Sequence, residues 1–136
     1  MNPTPVANLK GSAIYGTSAA SSYIGGGSAG ALSQLVAEMD VDFDSGMISN
    51  GNLMVEVDGS QVWDLDFKGA VAGGAVDLQM TSGQLSNFGS VLSNSIDADL
   101  GGVFTGNNAE AFVGGFDLVD QVNSLNQVNG IYTIER

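Results

Sequence analysis

Three carboxylates at two-residue spacing are the clearest candidates for chemistry in this chain. Asp40, Asp42 and Asp44 alternate with apolar residues, and clustered carboxylate oxygens are ligands that calcium prefers. A calcium loop counted from Asp40 requires glycine at its sixth position and glutamate at its twelfth, where the chain has Ser45 and Gly51. The alternation favours a solvated strand face, and the three aspartates remain candidate calcium ligands at the neighbouring turn.

Two further carboxylate pairs lie close to Gly59 in the sequence, one before it and one after it. Because Asp-Gly is a strong hairpin signal, Glu56 and Asp58 are expected to lie across from Asp64 and Asp66 on the polar faces of two strands. Paired carboxylates carry out glycoside hydrolysis, but catalysis requires groups with perturbed pKa values in a pocket. The sequence indicates no cleft around them, so we expect these side chains to serve solubility.

Histidine and cysteine are both absent from the chain. This removes the commonest metal ligand, the commonest general base and the imidazole-dependent nucleophiles. The sequence therefore predicts a protein that is not an enzyme and that needs no cofactor. A haem iron would have to be held by tyrosine or methionine. Tyr23 is the candidate ligand, because it lies in a glycine-rich segment, whereas Tyr15 and Tyr132 lie in predicted strands.

The charge balance restricts the partners. Fifteen acidic residues stand against three basic ones, which gives the 136-residue chain a formal net charge of −12. This charge repels a phosphate backbone and excludes nucleic acid. No apolar run approaches the ~20 residues of a membrane-spanning helix. The start of the chain lacks the regions of a signal peptide and carries two prolines. We predict a linker or disordered N-terminus over residues 1–8, and one domain over residues 9–136 of a longer secreted protein.

Apolar residues recur at every second position along most of the chain, which is the period of β-strands. The resulting strands are predicted near residues 9–17, 37–44, 53–58, 63–68, 76–80, 96–106, 112–116 and 130–134. Eight antiparallel strands with one apolar face each can close on themselves and leave no free edge. The sequence predicts an all-β fold, an eight-stranded antiparallel up-and-down β-barrel, with a two-sheet β-sandwich as the alternative.

Three segments of small or polar residues connect these strands. They are residues 18–30, 81–90 and 120–126. Because binding usually resides on loops carried by a rigid scaffold, these segments are the predicted recognition loops. The candidate binding residues are Tyr23, Asn107, Asn108, Glu110 and Asp120. For Glu110 we favour a second interpretation, in which its carboxylate caps backbone N–H groups of a single helical turn.

The last third of the chain carries the most specific pattern. Glycines and aromatic residues alternate around a short polar insert, in the order Gly102, Phe104, Gly106, Ala109-Glu110, Phe112, Gly114-Gly115 and Phe116. With Asp42-Phe43, Gly46 and Gly69 before it, this pattern resembles the C-terminal β-barrel of the family of transferrin-binding protein B and factor H binding protein of Gram-negative bacteria. The resemblance covers about residues 9–134.

The resemblance implies a barrel domain of a surface-exposed or secreted protein at the outer membrane. Related barrels also carry haem. We therefore expect a non-enzymatic binding or scaffold module that recognises a protein or nutrient ligand through its loops. One alternative is a small-molecule carrier that holds haem or a lipid-like ligand in or on the barrel, and another is a calcium-stabilised adhesin domain. The aromatic side chains are expected to fill the barrel, since eight strands enclose little more than that.

Overall fold

The computed structural model describes residue 4 and residues 9–16, 22–72 and 75–136. Within these ranges the chain is all β. The strands are β1 (Ser12–Gly16), β2 (Ser22–Gly27), β3 (Gly30–Asp42), β4 (Met47–Val57), β5 (Gln61–Ala72), β6 (Ala75–Asn87), β7 (Ser90–Ser93), β8 (Ile96–Thr105), β9 (Ala111–Asp120) and β10 (Gln127–Glu135). In these ranges we find no helix that is long and apolar enough to span a bilayer.

The ten strands of the described ranges occupy eight positions in one antiparallel barrel. β1 and β2 both pair with β3 on one side and with β10 on the other, so together they form one interrupted wall strand. β7 pairs with β6, while β8 lies beside β6 and pairs with β9, so these two form a second interrupted strand. Every wall strand neighbours the next one in the chain, and β10 returns to β1 and β2. The predicted up-and-down barrel is confirmed, and the sandwich is not formed.

Alternating side chains on each strand build the core. In β5, Trp63 and Leu65 are buried while Asp64 between them is exposed. They lie directly opposite Val55 and Leu53 of β4. Burying one such side chain contributes about 1.5–3 kcal/mol. A slip of one residue would turn Trp63 to solvent and Asp64 into the core, so the apolar pattern sets the register.

Two tight hairpins use backbone conformations that favour glycine. Asp58 and Gly59 both have positive φ, 52° and 72°, as the predicted Asp-Gly turn requires, and Ser60 completes a three-residue connection. Phe88 and Gly89 repeat this conformation, with φ of 51° and 81°, between β6 and β7. A bulky aromatic residue seldom adopts it.

The loop predicted over residues 81–90 is wrong for residues 81–87, which form a strand, while a recognition role for this segment stays a prediction. β6 runs on to Asn87 and pairs with β5 along this stretch, so that only residues 88–89 turn. The segment has a polar composition because Ser82 and Gln84 point to solvent. Gly83 stands where an apolar side chain would have completed the alternation that Leu85 continues, so the strand pattern is hidden.

The other two predicted loops are placed differently. Residues 18–30 contain β2 and a turn at residues 28–29, while residues 17–21 lie outside the described ranges. Residues 73–74, between the strands predicted near 63–68 and 76–80, also lie outside them. Residues 121–126 form a loop, as predicted. Thr4, which belongs to the predicted linker, is buried and its backbone N–H donates to Phe104 O at 2.8 Å.

Candidate functional site

The barrel has two ends of different construction. At the loop end, the described strands are connected by residues 28–29, 58–60, 88–89 and 121–126. At the opposite end, the described connections are residues 43–46 and 106–110. Ala109 of the connection 106–110 is buried in the core, so we call this connection the plug and this end the plugged end. Backbone hydrogen bonds join neighbouring connections at the loop end, since the Phe88 N–H donates to Ser60 O at 3.2 Å. The glycine–aromatic pattern of the sequence falls at the plugged end and in the wall beside it.

Tyr15 and Ala109 hold the plug against the core. The Tyr15 hydroxyl donates to Ala109 O at 2.5 Å, and both residues are buried. Ala109 has a left-handed backbone, with φ of 56°. Burial raises the pKa of Tyr15 to about 12, while the Arg136 charge opposes that increase and the Glu110 charge adds to it. The phenol is therefore a neutral hydrogen-bond donor at ordinary pH.

Glu110 closes the same turn. Its carboxylate accepts the Asn108 backbone N–H at 3.1 and 3.3 Å, and the Arg136 guanidinium donates to Asn108 O at 2.7 Å. Gly106 has φ of 88°, and a Cβ there would collide with the Glu110 carboxylate. Asn107 is exposed in this turn. Glu110 therefore caps a backbone N–H, as expected, but the capped segment is a tight turn and not a helical turn. A binding role for Asn107, Asn108 or Glu110 stays a prediction.

Two glycine pairs face each other across β8 and β9. Gly102 lies opposite Gly114, and Gly101 lies opposite Gly115. A Cβ on either Gly102 or Gly114 would collide with an aromatic ring of the core, so these two glycines make room for those rings. A Cβ on Gly101 would meet nothing within 4 Å, and one on Gly115 would meet its nearest atom at 3.8 Å. Packing therefore requires the inward glycines and leaves the outward ones unexplained.

The three candidate calcium ligands, Asp40, Asp42 and Asp44, each accept a hydrogen bond from another residue of the chain. Asp40 Oδ2 accepts Asn50 Nδ2 at 2.8 Å, Asp42 Oδ1 accepts the backbone N–H of Asp44 at 3.0 Å, and Asp44 Oδ1 accepts the backbone N–H of Gly11 at 3.0 Å. In the part of the chain that the structure describes, no three acidic side chains are grouped so that they could hold a metal ion. The arrangement fits the ordering of the β3–β4 turn.

The carboxylate pairs flanking the β4–β5 hairpin do not face each other as expected. Asp64 lies opposite Met54 and Asp66 opposite Asn52, because the hairpin turns at Asp58 and shifts the acidic residues out of register. The Asn52 side-chain amide instead bridges Asp64 and Asp66, at 3.0 Å to each. The pair therefore belongs to an amide-bridged surface network on the outer wall.

The three tyrosines differ in burial and hydrogen bonding, and a haem-binding role for Tyr23 stays a prediction. Tyr15 is bonded to the plug, and burial raises the pKa of Tyr132 well above its ordinary range, so neither phenol ionises readily to bind iron. Tyr23 is 41% exposed and donates weakly to Ser33 O at 3.3 Å. The groove beside it holds about 310 Å³, at the lower limit of small-molecule sites. The barrel interior is filled, with Trp63 fully buried among the core side chains.

Exposed apolar side chains collect at the loop end. Phe88 is 84% exposed at the tip of the β6–β7 hairpin, and Val122 and Leu125 are 72% and 76% exposed in the β9–β10 loop. Val91 and Leu92 of β7 are also exposed. We call these five residues the apolar rim. The Gln121 N–H donates to Ser95 O at 2.8 Å, which holds the β9–β10 loop beside the segment that follows β7.

Asp120 organises the β9–β10 loop from beneath. Its burial would by itself raise the pKa of the carboxyl, but hydrogen bonds from Ser93, from the backbone of Val122 and Asn123 and from Asn126 outweigh this and lower the pKa. The Val122 N–H donates to Asp120 Oδ1 at 2.9 Å. Asp120 is thus a buried anchor for Val122, whereas it was predicted as a residue that contacts a ligand directly; the contact itself stays a prediction.

The fold defines the class of protein, a closed up-and-down β-barrel with a filled interior. Among solved structures, the chain is similar to isotype 1 transferrin binding protein B from serogroup B Neisseria meningitidis, with a TM-score of 0.54 and 16% sequence identity over 98% of this chain and 28% of that chain. At this identity the similarity shows the fold alone, and the chain spans little more than a quarter of that protein. No protein-family model and no curated protein matches the chain.

The candidate binding residues chosen from the sequence include none of the apolar rim, although Phe88, Val122 and Leu125 lie within two of the segments predicted as recognition loops. Val91 lies just beyond the predicted loop over residues 81–90. Leu125 was missed because an isolated apolar residue in a polar connection carries no periodic signal. The Phe88-Gly89 dipeptide next to an alternating Leu85 was the available clue.

Proposed function

We propose that this chain is a non-catalytic binding module that recognises a protein or nutrient ligand through its loop end. The observation that carries the proposal is the apolar rim, in which Phe88, Val122 and Leu125 project from two connections at one end of the barrel. Groups of exposed apolar side chains mark interaction sites, and loops on a rigid scaffold commonly carry them.

The similarity to a protein named for binding transferrin supports a binding role for the barrel. It also supports a location at the cell surface or outside the cell, as one domain of a longer protein of a Gram-negative bacterium. The ligand of that larger protein is not carried over. The apolar rim favours a ligand with a complementary apolar surface, because burying its side chains gives binding energy in proportion to the apolar area.

Site-specific crosslinking tests the proposal. A photo-crosslinking amino acid replaces Leu125 at the loop end and, as the control, Ser45 at the plugged end. After incubation with culture medium or host fluid, we expect discrete adducts from position 125 and none of the same mass from position 45. Identical adducts from both positions would contradict recognition by the loop end.

A substitution at Phe88 separates binding from folding. Asn tolerates positive φ far better than Phe, so Phe88→Asn keeps the turn and removes the apolar side chain. We expect the variant to melt at or above the wild-type temperature and to lose the adducts formed at position 125. A variant that retains them shows that Phe88 does not take part in recognition.

We propose no haem or calcium in this function. Haem titration of the purified protein should produce no Soret shift beyond that of free haem, and its melting temperature should not change between calcium and a chelator. A haem-dependent Soret band that disappears in Tyr23→Phe would restore the carrier alternative. A calcium-dependent melting temperature that is lost in Asp42→Asn would restore the adhesin alternative.

A further inference from the structure

The outer wall formed by β8, β9, β10 and β2 carries a row of residues that the fold does not explain. Gly101, Gly115, Ile131 and Ile24 lie directly opposite one another across these four strands. The two glycines have room for a side chain, as described above. The two isoleucines are 55% and 70% exposed and lie side by side. The row thus consists of exposed backbone at the two glycines, followed by a pair of solvent-exposed apolar side chains. We call these four residues the floor.

Two aspartates border this floor. Asp99 and Asp117 lie directly opposite each other in the next outward row, two residues along the strands. Neither has a hydrogen-bond or ion-pair partner among the described residues. Like charges placed directly opposite are destabilising in a sheet. The wall therefore carries an uncompensated charge pair beside its apolar residues.

The floor and the aspartates line one shallow groove. It has a volume of about 640 Å³ and includes Asn129 of β10 beside the residues already named. It lies in the middle of the wall, away from the apolar rim. The nearest carboxylate and exposed apolar residue of the groove, Asp117 and Ile131, are two residues apart along the strands and one strand apart across the sheet. A matching ligand therefore offers a cation and an apolar group roughly 8 Å apart.

Charge decides between the possible occupants. The chain has a net charge of −12, so a second copy would bring further negative charge to this wall. A basic partner is attracted instead, and charge complementarity of this kind speeds association and selects partners. None of the three basic residues in the sequence lies on β8 or β9 to neutralise the pair. Lys10 precedes β1, Lys68 lies on β5 and Arg136 is hydrogen-bonded at the plugged end.

We propose that this wall is a second docking surface, for an extended segment of another protein in which a lysine or arginine stands two residues from a branched apolar residue. The cation pairs with Asp99 and Asp117 while the backbone of the segment passes over Gly101 and Gly115. The apolar side chain packs on Ile131 and Ile24. This surface is separate from the apolar rim, and its function does not depend on the ligand of the loop end.

A synthetic peptide tests the surface with the intact chain. The probe alternates lysine and isoleucine with serine spacers, so that both side chains face the wall, and the control peptide carries glutamate in place of lysine. We expect the lysine peptide to bind with a measurable Kd that weakens as salt is added, and to shift the amide resonances of Gly101, Gly115 and Ile131. Absence of binding, or shifts centred on another wall, would overturn the proposal.

Matched variants separate this groove from general acidity. Asp99→Asn with Asp117→Asn should raise the Kd by about tenfold. Asp77→Asn with Glu38→Gln removes an equal number of negative charges from other strands and should leave the Kd within about twofold. Equal effects of the two double variants would show nonspecific attraction and overturn the proposal.

Filling the groove gives an independent test. Gly101→Val places a side chain in open space and should abolish peptide binding, while buried Trp63 fluorescence reports that the fold is kept. Should that variant not fold, Ile131→Ser removes the apolar contact from the surface and should weaken binding. A chain that dimerises in sedimentation experiments, and becomes monomeric with Gly101→Val, would assign the wall to a second copy instead. Loss of adducts at the apolar rim bears on the proposed function alone.

Discussion

At the scale of single residues, two buried aromatic side chains of this barrel are held by specific hydrogen bonds. The Trp63 indole donates to Gln61 Oε1 at 2.9 Å in the core, and Tyr15 donates to Ala109 O in the plug. A buried group that loses its partner costs more than the hydrogen bond contributed. The Tyr15 hydrogen bond holds the plug, and the hydrogen bond from Val122 to Asp120 holds the β9–β10 loop. Substitution is most informative at Tyr15 and Asp120.

We expect Tyr15→Phe to lower the free energy of unfolding by about 1–3 kcal/mol, because the buried Ala109 carbonyl loses its donor. Urea denaturation followed by the fluorescence of Trp63, the single tryptophan of the chain, measures this loss. Tyr23→Phe, at an exposed tyrosine, is the control and should change little. Equal stability of Tyr15→Phe and wild type would mean that the plug is not held by this bond.

Tyr15 also makes stability depend on alkaline pH. Its pKa is about 12 in the folded chain, above the ordinary value, so its contribution is complete below pH ~10 and is lost as pH rises through the folded pKa. The free energy of unfolding should fall in this window, and less steeply in Tyr15→Phe. Tyr132, whose pKa burial also raises, should keep part of the slope. A variant with the full wild-type slope would contradict this assignment.

Asp120→Asn should destabilise the chain at neutral pH by about 1–3 kcal/mol, because an amide cannot accept all the hydrogen bonds that the carboxylate receives. The folded pKa of Asp120 lies below its ordinary value. Its stabilisation is therefore present above that ordinary value and is lost as pH falls through the folded pKa. The stability difference between wild type and variant, measured at about pH 7 and about pH 3, should narrow at the lower pH. A constant difference would assign the loss to shape and not to charge.

At the scale of the elements, the wall strands depend on glycine where aromatic rings need space. Gly102 and Gly114 share the inner face of β8 and β9, and their backbones leave room for the rings of Phe112 and Tyr132. Outward glycines on the same strands have no such task. Glycine thus makes room for core side chains on the inner face of the wall and leaves the backbone exposed on the outer face.

The neighbouring residues Gly102 and Gly101 give a matched pair of substitutions. Gly102→Ala should destabilise the barrel by about 1–3 kcal/mol, because its Cβ meets the Phe112 ring and overpacks the core. Gly101→Ala should be neutral or stabilising by up to about 1 kcal/mol, because its Cβ meets nothing and the unfolded chain loses freedom. Thermal denaturation of both variants checks this. Similar losses in the two would show that glycine is needed on both faces.

At the scale of the whole molecule, negative charge is the dominant surface property. A net charge of −12 on 136 residues produces self-repulsion in the compact state. Asp99 and Asp117 add an unpaired local contribution. The barrel fold tolerates this because its strands close on one another and its core is apolar, so the charges remain at the surface.

Screening this repulsion should stabilise the fold. Raising sodium chloride from about 0.01 M to about 1 M shortens the screening length from about 30 Å to about 3 Å, so we expect the melting temperature to rise. Asp99→Asn with Asp117→Asn should melt higher at low salt and gain less from salt. A melting temperature that falls with salt would show that attractive surface pairs, not repulsion, dominate.

The residue pattern by itself determined the all-β class and the inward residues of β4 and β5, because alternation of period two reads directly as one buried and one solvated face. It predicted the eight-stranded barrel but left the two-sheet sandwich open, because alternation does not say whether a sheet closes on itself. It also identified the turn at Asp58-Gly59, since that conformation is a local property of the two residues. The strand over residues 81–87 was not predicted, because Gly83 and the serines around it interrupt the apolar alternation. Pairing with β5 makes this segment a strand.

Only the tertiary structure decided which surfaces are available. The apolar rim arises because connections far apart in the chain meet at the loop end of the barrel, and the docking wall arises because Gly101, Gly115, Ile131 and Ile24 come from four strands aligned by register. Neither grouping is encoded in local spacing. In the glycine–aromatic pattern, the inward glycines serve core packing, because the aromatic rings need the space that a side chain would fill. The outward glycines lie on the outside of the closed barrel and form part of its surface.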